Sequence, residues 1–577
     1  MKLARWFRPS LASRPAPARQ RTRLSVECLE ARDNPSGGLL DPTFGSGGIA
    51  PYNFVSGYNQ GLADVKVLPD GKLLAAGTAN GDFAAARYNP DGTPDTSFGT
   101  GGVTTIDFSR GSDRAMAVSA VQAGTGGKVL VAGTAQTSKG QLVFGVVRLN
   151  PNGTLDTTFG DKTSKGKVTA APDSRSSSQV YSMAVLPDGK FVLAGLTLNV
   201  GSTGRGSVSL ARFNADGTLD TTFGSKGTVL TTITAAGGSN VLDHSINLAV
   251  DAAGRLIVSG TAPQPRAGDS ADFLVARFNP NGSLDTTFGA AGTGVVTTDL
   301  GTGAGNSDQA RSMSLDANGR IVVAGETWAD DGFGARAAVV RYNPNGSLDP
   351  TFDDDGIATV MGAGPGGAYW DTMPKAMAVQ PDGRILLAGH AWPTTSGDSA
   401  PLLLMRFNGD GSLDTSYGPS GTGTATTMVT TSFPRVSAMA LQPDGRVVVA
   451  GQVVINPAPY QYSFALYQFT ASTVDPSPVQ VGSFAAPDTA SAGATATLTA
   501  GNITDANSGA TIAKVAFYAL DASGVEQFLG YGTQQPDGYW KLTFTVNLAP
   551  GGYTLLALAA DSTGAVSDPI SLGLTVA

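Results

Sequence analysis

Apolar and polar residues alternate in short runs through most of the chain, and turn residues separate the runs. Residues 178–186 (SQVYSMAVL) alternate as expected for a strand with one buried face, which we call strand A. Residues 190–196 (KFVLAGL) are almost uniformly apolar, which predicts strand B, buried on both faces. Residues 207–214 and 227–233 predict strands C and D. Because no segment of this region keeps a helical apolar period, the pattern predicts an all-β fold.

The four-strand pattern recurs about every sixty residues between positions 40 and 470. One string, LDTTFG or a near copy, occurs seven times, with its aspartate at Asp41, Asp95, Asp156, Asp220, Asp285, Asp349 and Asp414. A second string, a glycine followed by Lys or Arg and an apolar run ending in glycine, begins at Gly71, Gly127, Gly189, Gly254, Gly319, Gly383 and Gly445. Four strands repeated seven times predict a seven-bladed β-propeller over residues 40–470. An elongated β-solenoid is the alternative, and it needs shorter rungs and capping units.

The two ends of the repeat region complement each other. The region begins with a single strand D near Ile49, whereas the last repeat supplies only strands A, B and C and ends at Phe469. Pairing of these two ends completes the seventh blade and removes exposed sheet edges. We therefore expect the ring to be closed by the Ile49 segment.

A second module follows a proline-containing linker at residues 471–478. Residues 479–577 contain some seven short strands separated by turn signals, and this spacing predicts an immunoglobulin-like β-sandwich in which Trp540 belongs to the core. The string PGGYTLLALAADSTGAVS resembles bacterial Ig-like modules. Such modules space or dock their neighbours, and the fold alone supplies no activity.

Charge is unevenly distributed. Residues 1–37 contain eight basic and three acidic residues and so carry a charge of +5. Because the net charge of the chain is −8, the other 540 residues carry −13. An acidic body repels phosphate backbones, so we expect no nucleic-acid partner, and no apolar run is long enough for a transmembrane segment. Two histidines and one cysteine, Cys28, exclude a disulfide framework, a Cys/His zinc site and most imidazole or thiol catalysis. The role of Cys28 is left open.

Two resemblances follow from the strings quoted above. The repeats resemble the delta-60 repeat of bacterial, mostly extracellular proteins, which implies a propeller-like repeat protein and no particular reaction. The end of the basic segment, RLSVECLEARDNPSG, resembles N-terminal sorting segments of planctomycete proteins, with Leu29, Glu30, Arg32, Pro35 and Ser36 matching the pattern. This resemblance implies that residues 1–37 are a disordered export segment and that the protein is extracellular or on the cell surface. The alternative is a disordered basic N-terminal segment without a sorting function.

The turn between strands C and D resembles the calcium loops of FG-GAP propellers in its spacing of Asn and Asp, for example Asn89, Asp91 and Asp95. The first ligand position, however, is an arginine in all six copies: Arg87, Arg148, Arg212, Arg277, Arg341 and Arg406. A fixed cation opposes a divalent ion, so we expect structural turns in which the arginine pairs with a nearby carboxylate. No cofactor is predicted, and a calcium-stabilised adhesion-type propeller is the disfavoured alternative.

The B–C and D–A loops vary in length and composition, whereas the A–B and C–D turns are regular. Variable loops carry recognition, so we expect the B–C and D–A loops to form the binding face. The candidate ligand-binding residues, in the fifth and sixth blades, are Trp328, Asp330, Asp331, Tyr369, Trp370, Asp371, His390 and Trp392. Flat rings beside carboxylates suit sugars or a cationic peptide. Aromatic residues that only cover blade edges are the alternative explanation.

These observations predict an exported binding or scaffold protein, monomeric, with a polysaccharide or protein ligand. The alternative is a carbohydrate-active enzyme that uses the carboxylates of the candidate patch. No catalytic residue and no metal ligand are assigned. His244 and His390 lie in different blades, and the sequence contains no nucleophile elbow, phosphate loop or dinucleotide fingerprint.

Overall fold

The computed structural model of the chain describes residues 38–50, 61–108, 113–120, 127–161, 163, 165–198, 206–233, 245–263, 271–301, 307–328, 334–363, 369–393, 401–418, 422–427, 435–457, 460–470, 479–505, 511–521, 525–561, 567 and 569–577. The predicted export segment and linker lie outside these ranges. Every element of regular secondary structure in these ranges is a β-strand, which confirms the all-β prediction. No helix that could cross a membrane is found among the described residues.

The strands of the repeat region are β1 (Ile49–Ala50), β2 (Gly61–Val67), β3 (Leu73–Ala79), β4 (Asp82–Tyr88), β5 (Val103–Ile106), β6 (Arg114–Ala120), β7 (Val129–Gln136), β8 (Leu142–Leu149), β9 (Lys167–Ala170), β10 (Ser177–Val185), β11 (Phe191–Leu198), β12 (Gly206–Phe213), β13 (Thr228–Thr231), β14 (Asn247–Val250), β15 (Leu256–Pro263), β16 (Ala271–Phe278), β17 (Val295–Thr298), β18 (Ser307–Leu315), β19 (Ile321–Trp328), β20 (Ala335–Tyr342), β21 (Ile357–Val360), β22 (Gly362–Ala363), β23 (Tyr369–Val379), β24 (Ile385–Pro393), β25 (Leu402–Phe407), β26 (Thr424–Thr427), β27 (Arg435–Leu441), β28 (Val447–Pro457) and β29 (Tyr460–Phe469).

These strands form a series of antiparallel sheets with the order A-B-C-D. The first to fifth repeat sheets are β2–β5, β6–β9, β10–β13, β14–β17 and β18–β21. The sixth is β23–β26, part of a larger sheet that also contains the short β22. In the third sheet each strand agrees with the predicted range to within two residues at either end.

The seventh repeat sheet joins the two ends of the region. Its order is β27-β28-β29-β1, and β1 pairs antiparallel with β29 through Ile49 and Tyr467. The predicted pairing of the Ile49 segment with the strand that ends at Phe469 is therefore confirmed. The A strands of consecutive sheets contact one another in the order β2, β6, β10, β14, β18, β23 and β27, and β27 contacts β2 again. The A strands thus form a closed circle.

Each C–D turn places one aromatic ring in the core. These rings, the aromatic residues of the LDTTFG strings, are at most 2% exposed, which confirms their predicted core position: Phe44, Phe98, Phe159, Phe223, Phe288, Phe352 and Tyr417. The strand-C arginine lies over the ring in six repeats, for example Arg212 at 4.5 Å from the centroid of Phe223. A buried ring with a cation above it anchors the turn to the sheet below.

A bulge interrupts strand A in six of the repeat sheets, where one extra residue stands opposite strand B. The extra residues are Ala63, Met116, Tyr181, Arg311, Lys375 and Ser437. The glycine that ends the second recurring string lies beside the bulge. A Cβ on Gly325 would lie 1.9 Å from the backbone oxygen of Gln309, and a Cβ on Gly195 would lie 1.8 Å from that of Gln179. Glycine is required there because the backbone of strand A approaches so closely.

The C-terminal strands are β30 (Val479–Ala485), β31 (Thr489–Ala490), β32 (Thr495–Asp505), β33 (Ile512–Asp521), β34 (Val525–Tyr531), β35 (Thr533–Gln534), β36 (Trp540–Thr545), β37 (Gly551–Asp561) and β38 (Ile570–Val576). They form two layers with the orders β30-β32-β36-β35 and β34-β33-β37-β38-β31. Buried side chains from both layers, including Phe517 and Trp540, pack into one cluster. The predicted core position of Trp540 is confirmed, since it is 8% exposed.

The C-terminal strands also bind the segment that precedes β1. The hydroxyl of Tyr531 accepts a hydrogen bond from the amide of Gly47 and donates one to the carbonyl oxygen of Pro42, each at 2.6 Å. The hydroxyl of Tyr518 donates to the carbonyl oxygen of Leu40 at 3.0 Å. In addition, β34 pairs in parallel with β26 of the sixth repeat sheet. The C-terminal strands therefore hold the segment that closes the circle, which the sequence did not predict.

Candidate functional site

The A–B and C–D turns lie together on one side of the repeat sheets, which we call the turn face. Lys72, in the first A–B turn, donates from Nζ to Oδ2 of Asp95 in the C–D turn at 2.8 Å. Arg87, on strand C, donates from Nε to the same oxygen at 2.7 Å. The predicted arginine–carboxylate pairing is thus confirmed, and it recurs as Arg148–Asp156, Arg212–Asp220, Arg277–Asp285, Arg341–Asp349 and Arg406–Asp414.

The carboxylates of these turns already hold protein donors. Oδ1 of Asp95 accepts hydrogen bonds from the amide and the hydroxyl of Ser97, at 3.1 and 2.6 Å. Burial alone would raise the pKa of Asp95, but hydrogen bonds from Lys72, Ser97 and Arg87 outweigh it and hold the pKa well below its ordinary value. Because both oxygens are engaged and a guanidinium is adjacent, this turn does not fit a calcium ion.

The opposite side, which we call the loop face, carries the ends of the B–C and D–A loops. The amide of Asp113, before strand A of the second sheet, donates to the carbonyl oxygen of Gly81 in the first B–C turn at 2.5 Å. This hydrogen bond places the two kinds of loop side by side at the junction between consecutive sheets. Three of the predicted ligand-binding residues, Trp328, Asp371 and Trp392, lie on this face, in the strands next to the loops.

Backbone pairing brings three of the predicted residues together at the junction of the fifth and sixth sheets. Trp328 is the last residue of β19, and its partner on β20 is Ala335. The amide of Ala335 donates to Oδ1 of Asp371 at 2.9 Å, and Asp371 is itself the cross-strand partner of Trp392. At the junction of the second and third sheets, the hydroxyl of Ser177 accepts from a strand-C amide in the same way as Asp371. Asp371 therefore joins two sheets, beside two tryptophans.

The structure describes the other predicted residues only in part. Asp330 and Asp331 lie outside the described residues, and only the backbone of Tyr369 and Trp370 is described, in β23. His244, which was not assigned to the site, also lies outside the described residues.

His390 is 9% exposed, and its Nε2 accepts a hydrogen bond from the amide of Val436 at 3.4 Å. Burial, assisted by Lys375 and Arg435, lowers the pKa of His390 to about 4. His390 is therefore neutral at pH 7 and packs between the sixth and seventh sheets.

Two groups of three carboxylates lie on the loop face, and the sequence analysis did not identify them. They are Asp82, Asp107 and Asp113 at the junction of the first and second sheets, and Asp272, Asp299 and Asp308 at the junction of the fourth and fifth. In each group one oxygen per residue lies within 4.8 Å of the others. The two groups occupy equivalent positions, because Asp82 and Asp272 each precede a buried phenylalanine on strand C. These are the described carboxylates whose spacing suits a cation.

Asp308 is the most perturbed member of these groups. It is fully buried, and its Oδ2 accepts a hydrogen bond from the amide of Leu300 at 2.7 Å. Burial raises the pKa of Asp308 to about 6, and Asp299 and Asp272 add to the effect against hydrogen bonds from Thr327 and Leu300. In the other group burial and the neighbouring Asp107 raise the pKa of Asp82.

A cavity of about 330 Å³ lies inside the circle of A strands. Its lining comes from the middle of these strands, including the bulge residues Ala63, Tyr181, Arg311, Lys375 and Ser437. The sequence analysis placed recognition in the loops and missed this site, because strict alternation along strand A gives no sign of an extra residue. The invariant glycine of strand B was the available signal, since it marks the close approach of strand A.

Comparison with known proteins supports the repeat assignment. The family model described as "Domain of unknown function (DUF5122) beta-propeller" matches residues 68–98, 127–159, 186–223, 254–288, 317–352 and 380–417. Each matched segment ends at the buried aromatic residue of a C–D turn and includes the second recurring string. No curated protein matches the chain by sequence.

Several solved structures match the chain at low sequence identity and low TM-score. A protein of unknown function from Dyadobacter fermentans is 11% identical, with a TM-score of 0.37, and the match covers 73% of this chain and 98% of that one. The polysaccharide lyase Uly1 is 11% identical, with a TM-score of 0.34 and coverage of 74% and 93%. A GH43_1 enzyme from Xanthomonas citri complexed with xylotriose is 13% identical, with a TM-score of 0.27 and coverage of 52% and 89%.

The recurring strings, the four-stranded sheets that they form and the match to the family model lead to one conclusion. The chain is a β-propeller repeat protein.

Proposed function

We propose that the chain is an exported binding or scaffold protein whose loop face is the interaction surface of a seven-bladed β-propeller of delta-60 repeats. The closed order of the A strands supports seven blades, and the two-layered C-terminal strands with their common core support an Ig-like module. The basic segment before residue 38, with its likeness to sorting segments, supports export to the cell surface or the medium.

The observation that carries the proposal is the contrast between the two faces. On the turn face, the charged side chains pair with one another and fix the turns, as in the Lys72–Asp95–Arg87 cluster. On the loop face, Trp392 is the cross-strand partner of Asp371, and Trp328 pairs with Ala335, whose amide binds Asp371. Aromatic rings beside a carboxylate bind the apolar faces and hydroxyls of sugars, so a polysaccharide is the ligand that this junction favours.

A direct test is a titration of tryptophan fluorescence in the full chain against a panel of neutral and acidic polysaccharides. Trp540 is buried in the C-terminal core and gives a constant background. We expect a saturable change that Trp328→Ala or Trp392→Ala reduces and that Arg384→Gln, on the turn face, leaves unchanged. A flat response to every polysaccharide, or a response that both tryptophan variants retain, would contradict the proposal.

The same preparation separates binding from hydrolysis. Oδ1 of Asp371 is held by the amide of Ala335, which suits a positioning role more than acid–base catalysis. We expect no release of reducing sugar from any polysaccharide that binds, and we expect the full chain to be monomeric in light scattering. Turnover that Asp371→Asn abolishes would favour a carbohydrate-active enzyme instead.

A further inference from the structure

The central cavity is lined by charged side chains. Among the described residues these are the cations Lys66, Arg311 and Lys375 and the carboxylate of Asp64. Asp64 pairs with Lys66, with a distance of 3.3 Å between Oδ1 and Nζ. The other two cations, Arg311 and Lys375, lie on the A strands of the fifth and sixth sheets.

One carboxylate, that of Glu326, binds both cations. Glu326, which is 3% exposed, accepts hydrogen bonds from Arg311 at 2.8 Å on Oε1 and from Lys375 at 2.8 Å on Oε2. Both cations are partly buried, with about a quarter of each side chain exposed. A ligand carboxylate in the cavity would meet two cations that share one protein carboxylate, so this part of the cavity favours an anion.

Glu326 also fixes the direction of the guanidinium. Arg311 uses Nε and Nη2 to bind Glu326, and Nη2 also donates to Oε1 of Gln309. Among the described residues, Nη1 of Arg311 has no such bond, so it is the nitrogen that a ligand in the cavity meets. The guanidinium is therefore held in place before binding, which lowers the entropy cost of forming a charge-assisted hydrogen bond.

The remaining lining is partly apolar and partly hydroxylated. Met183, Met313, Met377 and Met439 contribute apolar surface at equivalent positions of four A strands, and Tyr181 adds an aromatic ring. Ser182, Asn247, Ser312 and Ser437 contribute hydroxyl or amide groups between them. The volume of about 330 Å³ is at the lower end of the range for small-molecule sites. A sugar ring that bears an acidic group matches this combination of an apolar face, hydroxyls and one negative charge.

We propose that the central cavity binds a sugar-sized organic anion whose carboxylate is held by Arg311 and Lys375. This site is separate from the tryptophan junction on the loop face, and it does not depend on the function proposed for that junction. Loss of one site leaves the other intact, so the two proposals fail independently.

Calorimetric titration of the full chain tests the proposal with four ligands: galacturonate, the neutral methyl ester of galacturonate, galactose and acetate. Galacturonate carries both the ring and the charge, whereas each of the others lacks one of them. We expect galacturonate to bind at least about 10-fold more tightly than the other three, because a hydrogen bond to a charged group contributes about that factor or more. Its affinity should fall with added salt.

Two variants locate the site. Arg311→Gln removes the oriented guanidinium and should weaken galacturonate binding by about 10-fold or more. Ser437→Glu adds a carboxylate to the cavity without touching Glu326, and it should abolish binding while the melting curve stays close to that of the unaltered protein. Arg384→Gln on the turn face serves as the matched control and should bind galacturonate normally.

Four results would overturn the proposal. One is equal affinity for galacturonate and its neutral ester, and another is unchanged affinity in a folded Ser437→Glu variant. The third is the absence of galacturonate binding at millimolar concentration. Acetate binding as tight as that of galacturonate would also contradict it, because it would show a site for small anions in general.

Discussion

The amide of Asp41 donates a hydrogen bond to the carbonyl oxygen of Gln468 at 2.8 Å, although the two residues lie near opposite ends of the repeat region. Within the first repeat, Asp95 makes the same bond to Arg87 at 2.9 Å. The closing sheet therefore reproduces the internal geometry of a repeat with two distant pieces of chain. One difference is chemical, because glutamine replaces the strand-C arginine.

Because of that difference, we expect the A–B turn arginine to contribute more to stability in the seventh sheet than in the sixth. Asp41 is fully buried, and its Oδ2 pairs with Nη1 of Arg446 at 3.1 Å, whereas Asp414 in the sixth repeat pairs with both Arg406 and Arg384. Arg446→Gln should lower the free energy of unfolding by about 2 kcal/mol, because a buried carboxylate loses its cation. Denaturant titration measures the change.

Arg384→Gln is the matched control for that experiment. Asp414 keeps its bond to Arg406 at 2.7 Å, so the loss should stay below about 1 kcal/mol. Equal losses in the two variants would show that Asp41 does not rely on Arg446.

The bulges of the A strands predict a strict need for glycine on strand B. Gly325→Ala should lower the free energy of unfolding by about 3 kcal/mol, because its Cβ would lie 1.9 Å from the backbone oxygen of Gln309. Gly573→Ala is the control, since nothing lies within 4 Å of a Cβ there, and it should change stability by less than about 1 kcal/mol. Thermal melting of both variants decides the point, and a stable Gly325→Ala protein would refute the bulge.

The hydroxyl of Tyr531 predicts that the C-terminal strands stabilise the closing segment. Tyr531→Phe leaves the buried amide of Gly47 without its acceptor and should cost about 2 kcal/mol of unfolding free energy. Tyr553→Phe removes a hydroxyl that donates to Ala549 in an exposed hydrogen bond, and it should cost less than about 0.5 kcal/mol. Denaturant titration of the full chain compares them. A Tyr531→Phe protein as stable as Tyr553→Phe would show that the contact contributes nothing.

Asp308 predicts a pH dependence of stability. Its pKa is raised to about 6 in the folded chain, above the value of about 3.9 in the unfolded chain, so ionisation is less favourable when folded. Stability should therefore fall as pH rises from about 4 to about 6 and then level off. Asp308→Asn removes this loss. The unfolding free energy of the variant, relative to that of the unaltered protein, should therefore be about 3 kcal/mol higher at pH 8 than at pH 4. Unfolding in EDTA at both pH values measures it, and an unchanged difference would contradict the assignment.

The sequence predicted the repeat architecture well because its signals are local. The glycine of each turn, the apolar run of strand B and the aromatic of each C–D turn act within one repeat, and residues such as Phe223 occupy the predicted core. The pairing of the Ile49 segment with the strand that ends at Phe469 was predictable because strand counting left one strand at one end and three at the other.

The candidate sites were less predictable because they depend on register and on distant contacts. Arg311 and Lys375 reach the cavity through bulges, and a one-residue shift cannot be read from alternation alone. Loop position alone placed His390 beside the tryptophans, whereas its burial against Val436 follows from packing between sheets. The contact of Tyr531 with Gly47 joins residues 484 positions apart, with no local signal in either segment.

Closure of the circle of A strands is the claim on which the two faces and the cavity depend, and a disulfide tests it most directly. Ile49 and Tyr467 are antiparallel partners, at a Cα separation of roughly 4.5–5.5 Å that a disulfide can span. In a Cys28→Ser background, we expect Ile49→Cys with Tyr467→Cys to form the disulfide in the folded protein, detected by peptide mapping without reduction. Ile49→Cys with Val147→Cys, on strand C of the second sheet, should stay reduced. A folded Ile49→Cys/Tyr467→Cys protein that stays reduced under oxidising conditions would contradict the closed circle.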